Sequence, residues 1–247
     1  MALKVIGVIP ARMHSKRFYG KVLFDYQGKP LIWYLYQELA KSKVMDRVVI
    51  ATDNNKVRKA AEGFGAHVVM TTGKLQTGSD RVAQVMDSVE GDIFVNIQGD
   101  VFGLKSAALD TALGKFSSIP TLEYGTLARK IGTDKELNSP DSVKVVLKSN
   151  GDAGWFSRYP LPYIRNSSKK PISKHFNFYY HIGVYMFKSG ALKEFAGWAQ
   201  SPCEKAESLE QLRILENGKN IRVFLTNLKT VSVDSPKDVK NLKEVLN

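Results

Sequence analysis

Three groups of residues have the types and spacing for phosphate chemistry. The first is the segment Val8 to Lys21, VIPARMHSKRFYGK, in which an apolar run ends at Pro10 and a loop with four cations follows: Arg12, Lys16, Arg17 and Lys21. Backbone N–H groups and fixed cations that converge after a buried strand form a cradle for phosphates. The spacing is not that of a Walker A loop, which needs glycine where Ser15 stands and Ser or Thr where Val22 stands, and no GxGxxG follows the strand. Read from spacing alone, the segment fits a phosphate loop or a solvated basic turn.

The second and third groups are acidic. Asp100 falls just past the apolar run IFVNIQ, at the end of a strand where doubly wound sheets bind ligands. Asp234 follows the short run Val231-Ser-Val233 and precedes Ser235-Pro236. Carboxylates in such places ligate Mg²⁺, a hard cation that keeps substrate phosphates in its shell, or cap the N-terminus of the next helix. Both readings stand for each residue at this point.

The elements that must position these groups follow from periodicity. Lys4–Ile9, Arg47–Thr52, Ala66–Met70 and Ile93–Gln98 read as strands. Between them, Pro30 opens a helix with Leu31, Ile32, Leu35 and Leu39 on one face, and Asp53 or Asn54 caps a second that ends near Gly63. Thr77-Gly-Ser-Asp-Arg81 opens a third helix carrying Val82, Val85, Met86 and Val89. The alternation predicts an α/β fold with a parallel sheet covered on both faces. The second half is less regular. Val143–Leu147, Trp155–Phe156 and Ile182–Phe187 read as partly antiparallel strands, Glu204–Glu216 as a helix, Ile221–Leu225 as a strand and Pro236–Leu246 as a last helix. With no Pro/Gly-rich linker, residues 1–247 read as one domain with an inserted lobe around 150–190.

Composition excludes several classes. A single cysteine, Cys203, rules out an internal disulfide framework or a cysteine zinc cluster. The N-terminus lacks a secretory pattern, and no apolar run reaches the ~20 residues that span a bilayer. A cytoplasmic protein without stable membrane insertion is expected. The formal net charge of +12 suits anionic partners, but the basic residues are scattered, the densest patch being SKKPISK at 168–174. Small anionic substrates are therefore favoured over nucleic acid.

The motifs IPAR…SKRFYGK, ATD at 51–53, TGSDR at 77–81, NIQGD at 96–100, FSRYPLPYIR at 156–165, YYHIGVYMF at 179–187, ESLEQLRILENG at 207–218 and VDSPKD at 233–238 occur together and in order. This ordered set resembles the 3-deoxy-manno-octulosonate (Kdo) cytidylyltransferase family. The resemblance implies a Rossmann-like nucleotidyltransferase (GT-A-like) fold, with a mostly parallel central sheet, a smaller antiparallel lobe and homodimeric assembly. It implies CMP transfer from CTP to Kdo or a related 2-keto-3-deoxy sugar acid, with Mg²⁺, for surface glycan synthesis. Carried over by motif, Arg12, Ser15, Arg17 and Lys21 would hold the triphosphate, with Arg81 and Gln98 near the nucleotide. Asp100 and Asp234 would hold Mg²⁺, and Arg158, His181, Tyr185, Glu210 and Gln211 would line the sugar site.

Two positions depart from the family pattern. Tyr19 stands where the loop carries proline, and Val101-Phe102 where Glu-Pro follows Asp100. An altered acceptor, such as an amino-Kdo or a nine-carbon sialic-type acid, is the alternative within this chemistry. A basic nucleic-acid-binding protein or a non-catalytic sugar-nucleotide binder is the alternative outside it.

Overall fold

The computed structural model describes residues 3–15, 17–73, 75–165 and 171–246. Lys16 and the first part of the 168–174 basic patch lie outside the described residues.

The first hundred residues alternate as their hydrophobic pattern predicts. Strand β1 (Val5–Pro10) runs into loop 11–20 and one 3-10 turn, Lys21–Leu23; a short hairpin, β2 (Asp25–Tyr26) and β3 (Lys29–Pro30), then leads to helix α1 (Leu31–Leu39). Strand β4 (Arg47–Thr52), helix α2 (Asn55–Glu62), strand β5 (His67–Met70), helix α3 (Gly78–Val85) and strand β6 (Ile93–Ile97) follow. Two start signals resolve. Asn54, not Asp53, caps α2 by accepting from the Lys56 and Val57 amides, and Thr77 caps α3 in a reciprocal box with Asp80. Pro30 is the extended residue before α1 and not its first helical one.

The second half holds β7 (Val101–Phe102), α4 (Ser106–Ser117), β8 (Tyr124–Lys130), α5 (Asp134–Asn138), β9 (Lys144–Leu147), β10 (Ala153–Ser157), β11 (Tyr179–Lys188) and α6 (Ser189–Gly197). It ends with α7 (Pro202–Glu207), α8 (Gln211–Glu216), β12 (Ile221–Leu225), β13 (Val231–Ser232) and a 3-10 helix, Pro236–Glu244. The single helix expected over Glu204–Glu216 is two, because Ser208 adopts a left-handed conformation (φ 53°) and ends α7. The helix expected at the C-terminus is a 3-10 helix. Helices α4, α5 and α6 and strand β8 were not anticipated from the sequence.

Nine strands form one sheet. Its main path is β10-β9-β11-β6-β1-β4-β5, and β8 pairs with both β11 and β12. The β6-β1-β4-β5 side is parallel, and β11 joins it by running antiparallel to β6. Alternating side chains along each strand enter two buried clusters, one per face. Val48, Ile50, Val95 and Ile97 pack with α1, α2 and α4, whereas Val8, Val49, Ala51 and Phe94 pack with α3, α6 and α8. The loops after β1 and β6 therefore emerge side by side at the carboxyl end of the parallel strands, on a floor buried from both sides. Among the described residues no helix is long and apolar enough to cross a membrane.

Candidate active site

A miniature sheet makes the site. Strand β7 pairs antiparallel with β13, in the register Val101 with Ser232 and Phe102 with Val231, and the Val233 amide donates to the Asp100 carbonyl at 3.0 Å. This pairing draws Asp234 from near the C-terminus to the exit of β6, beside Asp100. The two residues that depart from the family pattern build it: Val101 and Phe102 are both buried, in the cluster that also holds Val233 and Leu242. Tyr19, the other departure, is 66% exposed.

Both aspartates face the N-terminal loop. The buried Lys21 ammonium lies 2.9 Å from an Asp100 oxygen and 3.8 Å from an Asp234 oxygen, and the Arg17 guanidinium lies 2.9 Å from Asp234 and 2.8 Å from Asp141. The capping alternative for Asp234 fails. Ser235 is the cap of the last helix, with Asp238 in the reciprocal box, and Asp238 also accepts from the Asp234 amide at 3.1 Å. Asp100 precedes a strand and caps no helix. Both carboxylates are thus turned toward cations. Arg12 is exposed and Ser15 half-buried, and neither has a side-chain hydrogen bond or ion pair among the described residues.

A second cluster lies one strand over. Asn96 and Gln98 project from the same face of β6; Gln98 donates to Glu210 at 2.7 Å, and the Asn96 amide reaches Ser79 at 3.0 Å and Glu210 at 3.4 Å. Glu210 also accepts from the Ser79 amide at 2.9 Å, in the first turn of α3. Burial raises its carboxyl above the usual range, against those hydrogen bonds. Gln98 sits between two motif glycines. A Cβ at Gly78 would come within 2.6 Å of its amide nitrogen, and one at Gly183 within 3.1 Å of its Cγ. The glycines of TGSDR and HIGVY are there to seat this side chain. Arg81 is buried and tied to Thr71 and, at 2.9 Å, to Asp53 of the ATD motif, so it braces the ends of β4 and β5 against α3.

The third cluster is nearly dry. His181 packs edge-on to Phe156 (5.0 Å between centroids) and beside Tyr185 (5.3 Å). Burial lowers its pKa to about 3, so the ring is neutral. The Thr126 hydroxyl donates its only proton to the Val184 carbonyl at 2.7 Å, so at 2.8 Å from the ring it accepts from His181 Nε2–H, which fixes the tautomer. Tyr185 donates to Gln211 Oε1 at 3.0 Å, and Gln211 Nε2 is buried with no partner among the described residues. The Tyr185 hydroxyl is raised well above its ordinary value by burial. Arg158 donates from Nε to the Glu207 carbonyl (2.7 Å) and from Nη1 to the Pro140 carbonyl (2.9 Å), leaving Nη2 without a protein partner among the described residues.

Sequence reasoning did not single out Asn96, Ser79, Thr126 or Glu207, which hold the side chains above, or Lys144, whose ammonium donates to the Arg158 carbonyl at 2.6 Å. Asn96 and Lys144 left a visible trace, each a polar residue inside an apolar strand run; the others are ordinary until the fold brings them in.

Comparison with known proteins identifies the family. A cytidylyltransferase family model matches residues 6–221. The 3-deoxy-manno-octulosonate cytidylyltransferase of Bdellovibrio bacteriovorus is 41% identical over 244 residues, covering 99% of this chain and 98% of its own. That of Geobacter metallireducens is 38% identical over 249 residues, with 99% and 98% covered. Among solved structures, CMP:2-keto-3-deoxy-manno-octonic acid synthetase complexed with CTP superposes with a TM-score of 0.89 at 35% identity over 98% of both chains. The inositol-1-phosphate CTP transferase of T. maritima, at 17% identity and a TM-score of 0.69, shares the fold. The chain belongs to the 3-deoxy-manno-octulosonate cytidylyltransferase family.

Proposed function

We propose that this protein transfers CMP from CTP to the anomeric hydroxyl of Kdo, releasing pyrophosphate, and that it works in the cytoplasm as a homodimer of single-domain chains. The observation that carries the reading is the meeting of Asp100, Asp234 and Lys21 at the carboxyl end of β6.

The acceptor oxygen forms a bond to the α-phosphorus as the bond to the bridging oxygen of pyrophosphate breaks, and the hydroxyl proton leaves to solvent. Such a step needs in-line positioning and neutralised charge more than a protein nucleophile. Lys21 and Arg17 are placed to take the charge that accumulates on pyrophosphate, with Arg12 and Ser15 of the same loop completing the triphosphate cradle. Gln98, set between its two glycines, would face the cytosine, and Arg81, tied to Asp53, would hold the ends of β4 and β5 beside the nucleotide.

The donor set fits Mg²⁺. Two carboxylates already converge on one ammonium, and both are hard oxygen ligands. Among the described residues no group of three or more His, Cys, Asp or Glu side chains gathers, so phosphate oxygens and water would fill the remaining positions. When bound, the ion neutralises the triphosphate and makes the attacking hydroxyl more acidic. Asp100 and Asp234 would hold it.

Arg158 would take the carboxylate of the acceptor, while Gln211 Nε2, His181, Tyr185 and Glu210 would shape the pocket for its hydroxyls. A pyrophosphate-release assay with CTP and Mg²⁺ against Kdo, an amino-Kdo and a nine-carbon sialic-type acid tests the reading. Turnover with Kdo, abolished in Asp100→Asn, is expected; no turnover with any of the acids would contradict it.

A further inference from the structure

Among the described residues two lysines are buried, and Lys144 is the deeper, at 1% exposure. It opens β9, and its ammonium donates to the carbonyls of Ser139 at 2.7 Å and Arg158 at 2.6 Å. It forms no ion pair with a carboxylate among the described residues. Burying an ammonium whose direct hydrogen-bond partners are carbonyls is costly, and an apolar residue of that length would serve packing better. The two carbonyls it holds belong to segments that bear on the site. Arg158 lies on one, with its side chain returning to the Pro140 carbonyl of the other. The next residue, Asp141, pairs with Arg17 of the phosphate loop.

We propose that Lys144 is a positioning residue for the anionic acceptor: it fixes the Arg158 main chain and the 139–141 segment, and it places a buried positive charge behind the guanidinium that receives the acceptor's carboxylate. The proposal rests on the reading of Arg158 given above. The charged and titratable groups around Lys144 come from four elements. Burial first, then the Arg158 guanidinium at the end of β10, push its pKa down to about 8; Glu207 of α7 and Glu136 of α5 pull it back. Tyr180, directly across on β11, is raised to about 12 by burial and stays neutral.

Scaffold and charge can be told apart. A neutral amine still has two N–H donors, enough for both carbonyls, so a purely structural role does not titrate. The charge does. An anion at Arg158 favours the ammonium and raises its pKa, so binding takes up a proton near pH 8 and weakens as pH rises further. A rise of one unit makes acceptor binding about tenfold weaker above the titration than below it.

Titration calorimetry of Kdo into the full-length protein holding Mg²⁺ and a CTP analogue with a non-cleavable α,β bridge, in buffers of different ionisation heat at pH 8.5, reads this directly. The wild type is expected to take up roughly half a proton per acid bound. Lys144→Met is expected to bind the acid about threefold more weakly at pH 8.5 and about tenfold more weakly well below the titration, with no uptake and with nucleotide affinity unchanged within about twofold. Wild-type binding without proton uptake, or a methionine variant that keeps the wild-type pH dependence, overturns the proposal; if the variant does not fold, the wild-type proton count alone decides. Kdo failing to bind at any pH while the nucleotide binds overturns the acceptor-site reading itself, and Lys144 with it.

Discussion

The two ends of the site are built on opposite electrostatic principles. At the phosphate end, Lys21, Arg17, Asp100, Asp141 and Asp234 form a chain of ion pairs, partly open to water, between loops that follow strands. At the proposed acceptor end, His181, Tyr185, Gln211 and Thr126 are neutral, buried and held by one or two hydrogen bonds each inside strands and a helix. The phosphate end can exchange one partner for another, because each charge has alternatives within a few ångströms. The acceptor end cannot, since burying any one group unpaired costs about 1–3 kcal/mol. The first region is suited to gathering charge as it develops; in the second, a neutral buried wall shapes the pocket beside the one guanidinium, Arg158, proposed to meet the acceptor's carboxylate.

That contrast breaks most sharply at Asp100. Asp100→Asn and Asp234→Asn should each lower kcat by about 10³-fold. Asp234→Asn should leave thermal stability close to wild type, because its nearer partner, Arg17, is exposed, whereas Asp100→Asn leaves the buried Lys21 ammonium with Asp234 at 3.8 Å and should lower the melting temperature by a few degrees. Steady-state pyrophosphate release with parallel melting curves checks this. Lys21→Met should lower kcat by about 10²-fold, whereas Arg17→Gln, whose ion pairs lie at the surface, should cost only a few-fold.

At the acceptor end the expected effects fall on stability. Thr126→Val removes the acceptor of a buried His181 N–H and should cost about 2 kcal/mol, with the melting temperature falling by several degrees. The pH dependence has a definite sign. His181 is neutral in the fold down to about pH 3, whereas the unfolded chain binds a proton near 6.5. Native stability from this group is therefore full above 6.5 and is lost as pH falls from 6.5 toward 3. His181→Gln should flatten that acid limb in denaturant titrations at stepped pH, and activity between pH 6 and 8 should show no titration from this ring. The smallest effect is expected at Gly183→Ala, where the new methyl meets Gln98 Cγ at 3.1 Å and should raise the KM for CTP a few-fold with kcat little changed.

The same contrast explains what the sequence disclosed. The residues of the proposed phosphate end could be singled out because its parts are local, a cationic loop after an apolar run and aspartates just past strand ends, although their roles stayed open. The β-α-β-α-β half followed for the same reason, from uninterrupted runs such as RVVIAT and IFVNI. What Asp234 does was not legible locally, since Ser235-Pro236 reads equally well as a cap for it; only the pairing of β7 with β13 decides. At the acceptor end the residues were reachable through the family motifs alone. Nothing in HIGVY tells that Gly183 yields space to Gln98, or that Thr126 of an unanticipated strand sets the tautomer of His181. Helix α4 went unanticipated although Leu109, Ala112, Leu113 and Phe116 keep helical spacing: it starts without a side-chain cap, and β8, which Phe116 meets at Gly125, was overlooked too. Ser208 carries no turn signature, yet its left-handed conformation divides α7 from α8 and so places Glu210 against α3.

The most direct test of the central claim is a manganese-binding titration, followed by electron paramagnetic resonance, on the wild type and on the Asp100→Asn/Asp234→Asn double variant in the presence of CTP. The account predicts that the wild type holds the ion with the nucleotide at micromolar concentrations, and that the double variant retains CTP but loses the protein-held ion. Equal ion binding by the two proteins would contradict it.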